Sequence, residues 1–360
     1  MILENEIKLD FSDVLIRPKR SELSSRSDVD LVKHFKTKNG NSFSGIPIIA
    51  ANMATGTFEM LHTFSQQKMF VAISKHLNQK WRENFLEEQY IKYGFYTIGM
   101  SDEELDKMMV FHAMLQENHK SEMKICIDIA NGYTQKFSSF VSKVREFLPS
   151  NVIIAGNVAT PEMVQELIIA GADFIKIGIG PGSQCTTRMK TGVGYPQISA
   201  SIECADAAHG LGGGIILDGG MRTPGDVAKA FCANSDMIML GGMFAGTQET
   251  EGEIIDRVYK TGEVEWEDGA WKEIHQRKSY KVFYGMSSEY AQDKHFGGKK
   301  DYRTSEGRVE EVPFVGSATS VIQDLLGGIR SCGTYIGANS IKDFGKCSTL
   351  VRVNRIHDRF

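Results

Sequence analysis

A cysteine, two threonines and an arginine stand together in the stretch Lys176 to Gln197, KIGIGPGSQCTTRMKTGVGYPQ, with glycines on both sides of the cysteine. A glycine-rich turn at the end of an apolar run exposes backbone N–H and C=O groups and holds a thiol where a ligand can reach it. Cys185, carried this way, is a candidate nucleophile. The hydroxyl of Thr187 could donate or accept a proton beside it. Addition and elimination at a carbon centre also need a carboxylate to move protons. The late run Asp301-Tyr302-Arg303-Thr304-Ser305-Glu306-Gly307 offers Glu306, although a loop acid taken alone is more often a solvated surface group. Of the other cysteines, Cys126 lies in an apolar strand pattern and Cys204 and Cys232 in helical ones. Cys332 reads as a second thiol in a glycine-flanked turn. None is spaced as CxxC, so a zinc site is not expected.

These groups need a scaffold. Eight short runs rich in Ile and Val read as buried parallel strands: 46–53, 70–74, 96–100, 124–130, 151–158, 174–180, 214–220 and 236–243. Helical patterns alternate with them, two of them opened by Thr160-Pro161 and Thr223-Pro224. The alternation predicts an α/β chain folded as a (β/α)8 TIM barrel. A doubly wound open sheet fits less well, because no GxGxxG follows the first strand. In a barrel the C-terminal strand ends build the site. Here they carry Asn52, Met53, Lys75, Asp128, Asn157, Gly180 to Cys185, Asp218-Gly219-Gly220 and Gly241-Gly242. Glycine pairs after strands seven and eight point to a phosphorylated ligand held by backbone N–H groups. Asp218 either accepts hydrogen bonds from a ribose diol or closes an Asx-turn.

The chain of 360 residues reads as one domain, with Gly246 to Gly316 too long for a simple loop. Residues 247–316 read as an insertion and active-site flap, with a disordered insertion as the alternative for Thr247 to Lys281. The formal net charge of −4 gives no electrostatic case for a nucleic-acid or membrane partner. The first residues lack the order of a signal peptide, so a cytoplasmic location and reduced thiols are expected.

The order GPGSxCTTR…KTGVGYPQ resembles the catalytic loop of the IMP dehydrogenase and GMP reductase family. IPIIAANM, CIDIANGY, IECADAAHGLGG, PGDVAKAF, LGGMFAG, FYGMSS and YRTSEG are similar to family segments along nearly the whole chain. Tyr195, FYGMSS and YRTSEG resemble the reductase members, and the tandem regulatory insertion usual in the dehydrogenases is missing. The resemblance implies NADPH-dependent reductive deamination of GMP to IMP and ammonia, in purine salvage, through a covalent adduct of Cys185 at purine C2. Alternatives are an IMP dehydrogenase without regulatory domains and a non-catalytic nucleotide-binding barrel.

The resemblance also implies roles for individual residues. Cys185, Thr187 and Glu306 are catalytic. Asp218, Gly219, Gly220, Gly241, Gly242, Gly285, Met286, Ser287, Arg303, Thr304, Ser305 and Gly307 contact GMP. Ser25, Arg26, Lys75, Asp128, Ile129, Ala130, Ile179, Gly180, Tyr302, Arg303, Ser331, Cys332, Gly333 and Thr334 hold NADPH, some of them from a neighbouring subunit of a homotetramer. Gly180, Gly182, Cys185 and Arg188 match a potassium site. The chain departs from the family pattern at Ala54, where an aspartate is usual, and at Ser74, where a histidine is usual. Its insertion within 247–281 is longer than typical and holds Trp266 and Trp271. Two tryptophans there suggest packing on the flap, a neighbouring subunit or a partner.

Overall fold

The computed structural model describes residues 1, 3–84, 87–118, 123–267, 270–296 and 305–354. Eight parallel strands close into one barrel. They are β1 (Ile48–Ala50), β2 (Phe70–Ile73), β3 (Gly94–Ile98), β4 (Lys124–Asp128), β5 (Ile153–Val158), β6 (Phe174–Ile177), β7 (Gly214–Asp218) and β8 (Met237–Leu240). Leu240 of β8 pairs with Ala50 of β1, which closes the ring. The (β/α)8 reading holds and the open sheet is excluded. Every residue of β1, β2, β3, β6 and β8 is buried, as strands packed on both faces must be.

Helices α1 (Phe58–Gln66), α2 (Glu88–Tyr93), α3 (Asp102–Glu117), α4 (Gln135–Phe147), α5 (Pro161–Ile169), α6 (Gln197–Gly210) and α7 (Pro224–Cys232) alternate with the strands. Thr223 starts α7 with a capping box, its hydroxyl accepting from Asp226 N at 3.2 Å. The strands end earlier than the apolar runs suggested. Gly219 and Gly220 have φ of +81° and +88°, a conformation that no ladder accommodates, so β7 stops at Asp218. The residues beyond the strand ends are thereby released to form loops at the C-terminal mouth.

The opposite mouth is plugged. Strands Lys33–Lys36 and Ser42–Gly45 pair antiparallel. They bring Phe35 and Phe43 into a stack with centroids 4.7 Å apart. Those rings press edge-on against Phe174 and Phe70, the first residues of β6 and β2.

The described residues of the segment 247–316 are not structureless. β9 (Ile254–Glu267) and β10 (Ala270–Tyr284) form a long antiparallel hairpin, and β11 (Val309–Pro313) adds a third strand against the root of β10. A short helix, α8 (Glu289–Phe296), lies between β10 and β11. Beyond the Tyr280–Pro313 pair the hairpin has two strands only. There Trp266 and Trp271 pair across the strands, centroids 5.3 Å apart, so the two tryptophans pack on each other. The buried Lys281 anchors the root, its Nζ donating to Thr247 O and Gln248 O at 3.1 Å.

The sequence reads as a final helix near Thr319 to Leu326, and the last barrel helix, α9 (Ala318–Ile336), runs well past it. Two of its glycines serve close packing. A Cβ at Gly328 would lie 2.6 Å from Pro224, and one at Gly333 would lie 2.8 Å from Val29. Cys332 therefore sits on a helix, not in a turn, and its thiol contacts Cys232 of α7.

Candidate active site

The Cys185 loop leaves β6 at Gly178 and returns through the short helical turn Thr187–Thr191. Gly180 adopts φ +79° with the Arg188 stem packed on it, Cγ 2.6 Å from where a Cβ would be. Cys185 N donates to Gly182 O at 3.0 Å, which closes the turn that presents the thiol. The Cys185 Sγ–H donates to Thr187 Oγ1 at 3.2 Å, and Thr187 Oγ1–H donates to Glu306 Oε2 at 2.6 Å. Thiol, hydroxyl and carboxylate thus lie on one hydrogen-bonded line.

Glu306 is delivered by the segment that precedes β11, through backbone contacts. Thr186 N donates to Glu306 O at 2.8 Å, Arg308 N to Gln184 O at 2.8 Å, and Glu306 N to Ser287 O at 3.2 Å. Gly285 and Gly307 permit this approach. A Cβ at Gly307 would lie 2.7 Å from Ser288 N, and one at Gly285 would lie 3.0 Å from Gln184 O. Gly285, Ser287, Ser305 and Gly307 are therefore gathered on the Cys185 loop, while Met286 packs on the apolar cluster at the root of the hairpin. Glu306, read alone as a surface acid, lies in hydrogen-bond contact with the loop that carries Cys185.

Asp218, Gly219 and Gly220 follow β7 directly. Gly219 lies against Gly182, and a Cβ at Gly220 would press on Pro181 at 3.2 Å. A Cβ at Gly242 would meet Ser183 Oγ at 3.0 Å. Gly219, Gly220 and Gly242 thus converge on the loop that carries Cys185, in a cradle that side chains would fill, while Gly241 faces Met53. Asp218 is not an Asx-turn acceptor. Its Oδ2 accepts from Asn157 Nδ2 at 2.9 Å and from Lys176 Nζ at 3.2 Å.

On the other side of the mouth, Lys75 pairs with Glu104 at 3.0 Å. Asp128 accepts from Lys176 Nζ and from the side chain of Asn52. Burial opposes ionisation of Asp128, but the Lys176 ammonium more than offsets it and holds the carboxyl below the ordinary carboxylate range. Main-chain hydrogen bonds join the ends of β4 and β5, Asn157 N donating to Ile129 O and Ile129 N to Gly156 O, each at 2.9 Å. Lys176 was missed in the sequence. The signal was present, a lysine inside the apolar run FIKIGIG.

Ser25, Arg26 and Ser331 to Thr334 form a separate group, joined where Gly333 packs on Val29. Their hydrogen bonds are local, from Ser25 N to Asp28 Oδ2 at 2.8 Å and from Thr334 Oγ1 to Ser331 O at 2.7 Å. Tyr302, Arg303 and Thr304 lie outside the described residues. Arg188 donates through Nη2 to Tyr195 O at 2.5 Å, and Tyr195 OH donates to Glu203 at 2.7 Å. All six cysteines are free thiols. Burial pushes Cys126 and Cys204 up to about 12, which makes both inert at neutral pH.

Ala54 occupies a buried cluster with Ala245, Phe283, Tyr284 and Ala291 that seats the root of the hairpin on the barrel. An aspartate there would bury its carboxylate among apolar groups, so the departure at Ala54 goes with an apolar seat.

The model of the IMP dehydrogenase / GMP reductase domain matches residues 97–357. GMP reductase 2 of Homo sapiens is 50% identical over 98% of this chain and 96% of its own. The GMP reductases of Yersinia enterocolitica and Escherichia coli are each 47% identical over 100% of this chain and 99% of theirs. The chain belongs to the IMP dehydrogenase/GMP reductase family. Among the described residues no helix is long and apolar enough to cross a membrane.

Proposed function

We propose that this protein reduces GMP to IMP and ammonia with NADPH, as a purine-salvage enzyme. The observation that carries the reading is the line from Cys185 through Thr187 to Glu306 at the mouth of the barrel. Full-length relatives named GMP reductase support it.

The geometry suits the chemistry. The thiol proton has a path through Thr187 to Glu306, which leaves a thiolate to add at C2 of GMP. NH2⁻ is not a leaving group in water, so a proton must reach the departing amine. Glu306 can return it along the same path. The products of this half are ammonia and a thioimidate on Cys185. NADPH, when bound, supplies a hydride to C2. The C–S bond then breaks, IMP leaves and the thiolate regains a proton. Overall, GMP, NADPH and two protons give IMP, NADP+ and ammonium.

The glycine cradle of Gly219, Gly220, Gly241 and Gly242 would take the GMP phosphate on backbone N–H groups. Asp218 would accept from the ribose. Lys75, Arg26 and Arg303 supply the cations that an extra cofactor phosphate requires. The hairpin and α8 act as the flap that keeps water from the thioimidate. Backbone carbonyls at Gly180, Gly182 and Cys185, beside Arg188, would hold a potassium ion. A homotetramer in the cytoplasm completes the reading, with Ser25, Arg26 and Ser331 to Thr334 serving the site of a neighbouring subunit.

The test is turnover with GMP and NADPH, run beside IMP with NAD. Oxidation of NADPH with release of ammonia is expected, together with its loss in Cys185→Ala and protection of Cys185 from iodoacetamide by GMP. Turnover of IMP with NAD alone, or inactivation by labelling of another cysteine, refutes the proposal.

A further inference from the structure

Lys176 is a charged residue in the wall of an apolar strand, its side chain 2% exposed. A buried lysine keeps its charge most readily where carboxylates face it. Two do, from strands on either side in the ring. Asp128 ends β4 and Asp218 ends β7, and both carboxylates bind the same Nζ. Burial disfavours the charged lysine, yet the two carboxylates prevail and its affinity for the proton is raised. Asn157 of β5, between them, donates to Asp218 Oδ2 at 2.9 Å and to Gly178 O at 3.0 Å. Both donors to Asp218 take Oδ2, and among the described residues Oδ1 has no donor. Other titratable groups face this cluster. The Cys126 thiol is neutral, pushed up to about 12 by burial, and Lys75 is engaged with Glu104.

We propose that Lys176 is a positioning residue for the substrate, which anchors Asp218 through a shared cation so that its free oxygen is offered to the ribose diol of GMP, with Asp128 as the second anchor. The inference rests on the proposed GMP reductase reading. It assigns work to a side chain on the strand rather than to the loop that follows it. One ammonium lies between two carboxylates and offsets the repulsion between them. Without the cation the pair shares a proton, as close carboxylates do, and Asp218 loses part of its capacity to accept.

The test is GMP binding by calorimetry in wild type, Lys176→Met, Asp128→Asn and the double variant Lys176→Met/Asp128→Asn, between about pH 5.5 and 8.5. Methionine keeps the length of the stem and removes the charge. Lys176→Met should bind GMP about tenfold more weakly than wild type at the acid end, a change of about 1.4 kcal/mol. The ratio of the two constants, from which the titration of GMP itself cancels, should fall as pH rises. In the double variant one carboxylate is gone, and binding should recover to within about threefold of wild type. A residue that only fills space would give the same loss with and without Asp128. If Lys176→Met does not fold, the double variant, with its charge closer to balance, carries the comparison against Asp128→Asn. A pH-independent ratio near one, or a double variant no better than Lys176→Met, overturns the inference. A wild type that does not bind GMP overturns the proposed function and this inference with it.

Discussion

Glu306→Gln separates positioning from proton transfer. The substitution keeps the shape of the side chain and its backbone anchors, Thr186 N to Glu306 O at 2.8 Å and Glu306 N to Ser287 O at 3.2 Å. It replaces a charged acceptor of the Thr187 hydroxyl, now 2.6 Å away, by a neutral one. A charge-assisted hydrogen bond contributes about 1.5–3 kcal/mol. Glu306 is only half-buried, so the low end applies and the loss of positioning is about tenfold in rate. Loss of a proton donor costs more, about 10² to 10⁴-fold. The two effects fall on different steps. Release of ammonia needs the proton, whereas hydride transfer needs only the adduct in place. Deamination of GMP, measured by rapid quench, should therefore slow by about 100-fold or more. The reverse hydride step, from IMP and NADP+ without ammonia, should slow by about tenfold or less. Thr187→Val, which cuts the line in its middle, should reproduce the asymmetry. Equal losses in both half-reactions would mean that Glu306 only positions Thr187, and the relay would be wrong.

Three further outcomes follow from the geometry. His76 and His295 stack at 3.8 Å between barrel and α8; burial, then His295 and Lys75, holds His76 down at about 4, and burial with Lys294 lowers His295. Depressed values mean that this contact contributes fully above the ordinary histidine value near about 6.5 and is lost as pH falls from there toward about 4. Hydrogen exchange over 284–295, corrected for its intrinsic pH dependence, should rise across that window and flatten in His76→Phe; protection unchanged down to about pH 4 refutes it. Alanine at Arg26 or Lys75 should raise the NADPH KM about ten- to 100-fold while that for NADH barely changes, and parallel changes for both cofactors would remove these cations from the phosphate site. Within α9, Gly327→Ala meets nothing within 4 Å and should stabilise by about 0.5–1 kcal/mol, whereas Gly328→Ala would place its Cβ 2.6 Å from Pro224 and should destabilise by about 1–3 kcal/mol; thermal melts showing equal shifts would refute the packing argument.

The barrel was legible because a buried parallel strand leaves a dense local signature, four or five apolar residues closed by a turn, and eight such runs alternate with helices. The loop that carries Cys185 was legible for a similar reason, with thiol, hydroxyl and turn glycines all within one short stretch. Glu306 was not, on chemistry alone. It meets Thr187 across a separation of 119 residues, and nothing near it distinguishes it from a solvated acid. Only the family resemblance reached it.

The errors have physical causes of their own. The hairpin of β9 and β10 reads as a charged loop because most of its side chains are exposed on both faces, so alternation along the strand carries no apolar stripe. Gly327, Gly328 and Gly333 interrupt the helical pattern of α9 beyond Leu326, and at two of them another chain segment comes within contact distance of the missing Cβ. Glycine carries three meanings in this chain. At Gly219 and Gly220 it allows a left-handed turn, at Gly285 and Gly307 a close approach of two loops, and at Gly328 and Gly333 the packing of a helix. Composition does not tell these apart. The partner on the other side of the missing side chain does, and that partner is a property of the fold. Lys176 shows the reverse case. A lysine inside FIKI contradicts its own strand, and such a contradiction is readable without coordinates. Its resolution, by carboxylates from β4 and β7, required the ring to close.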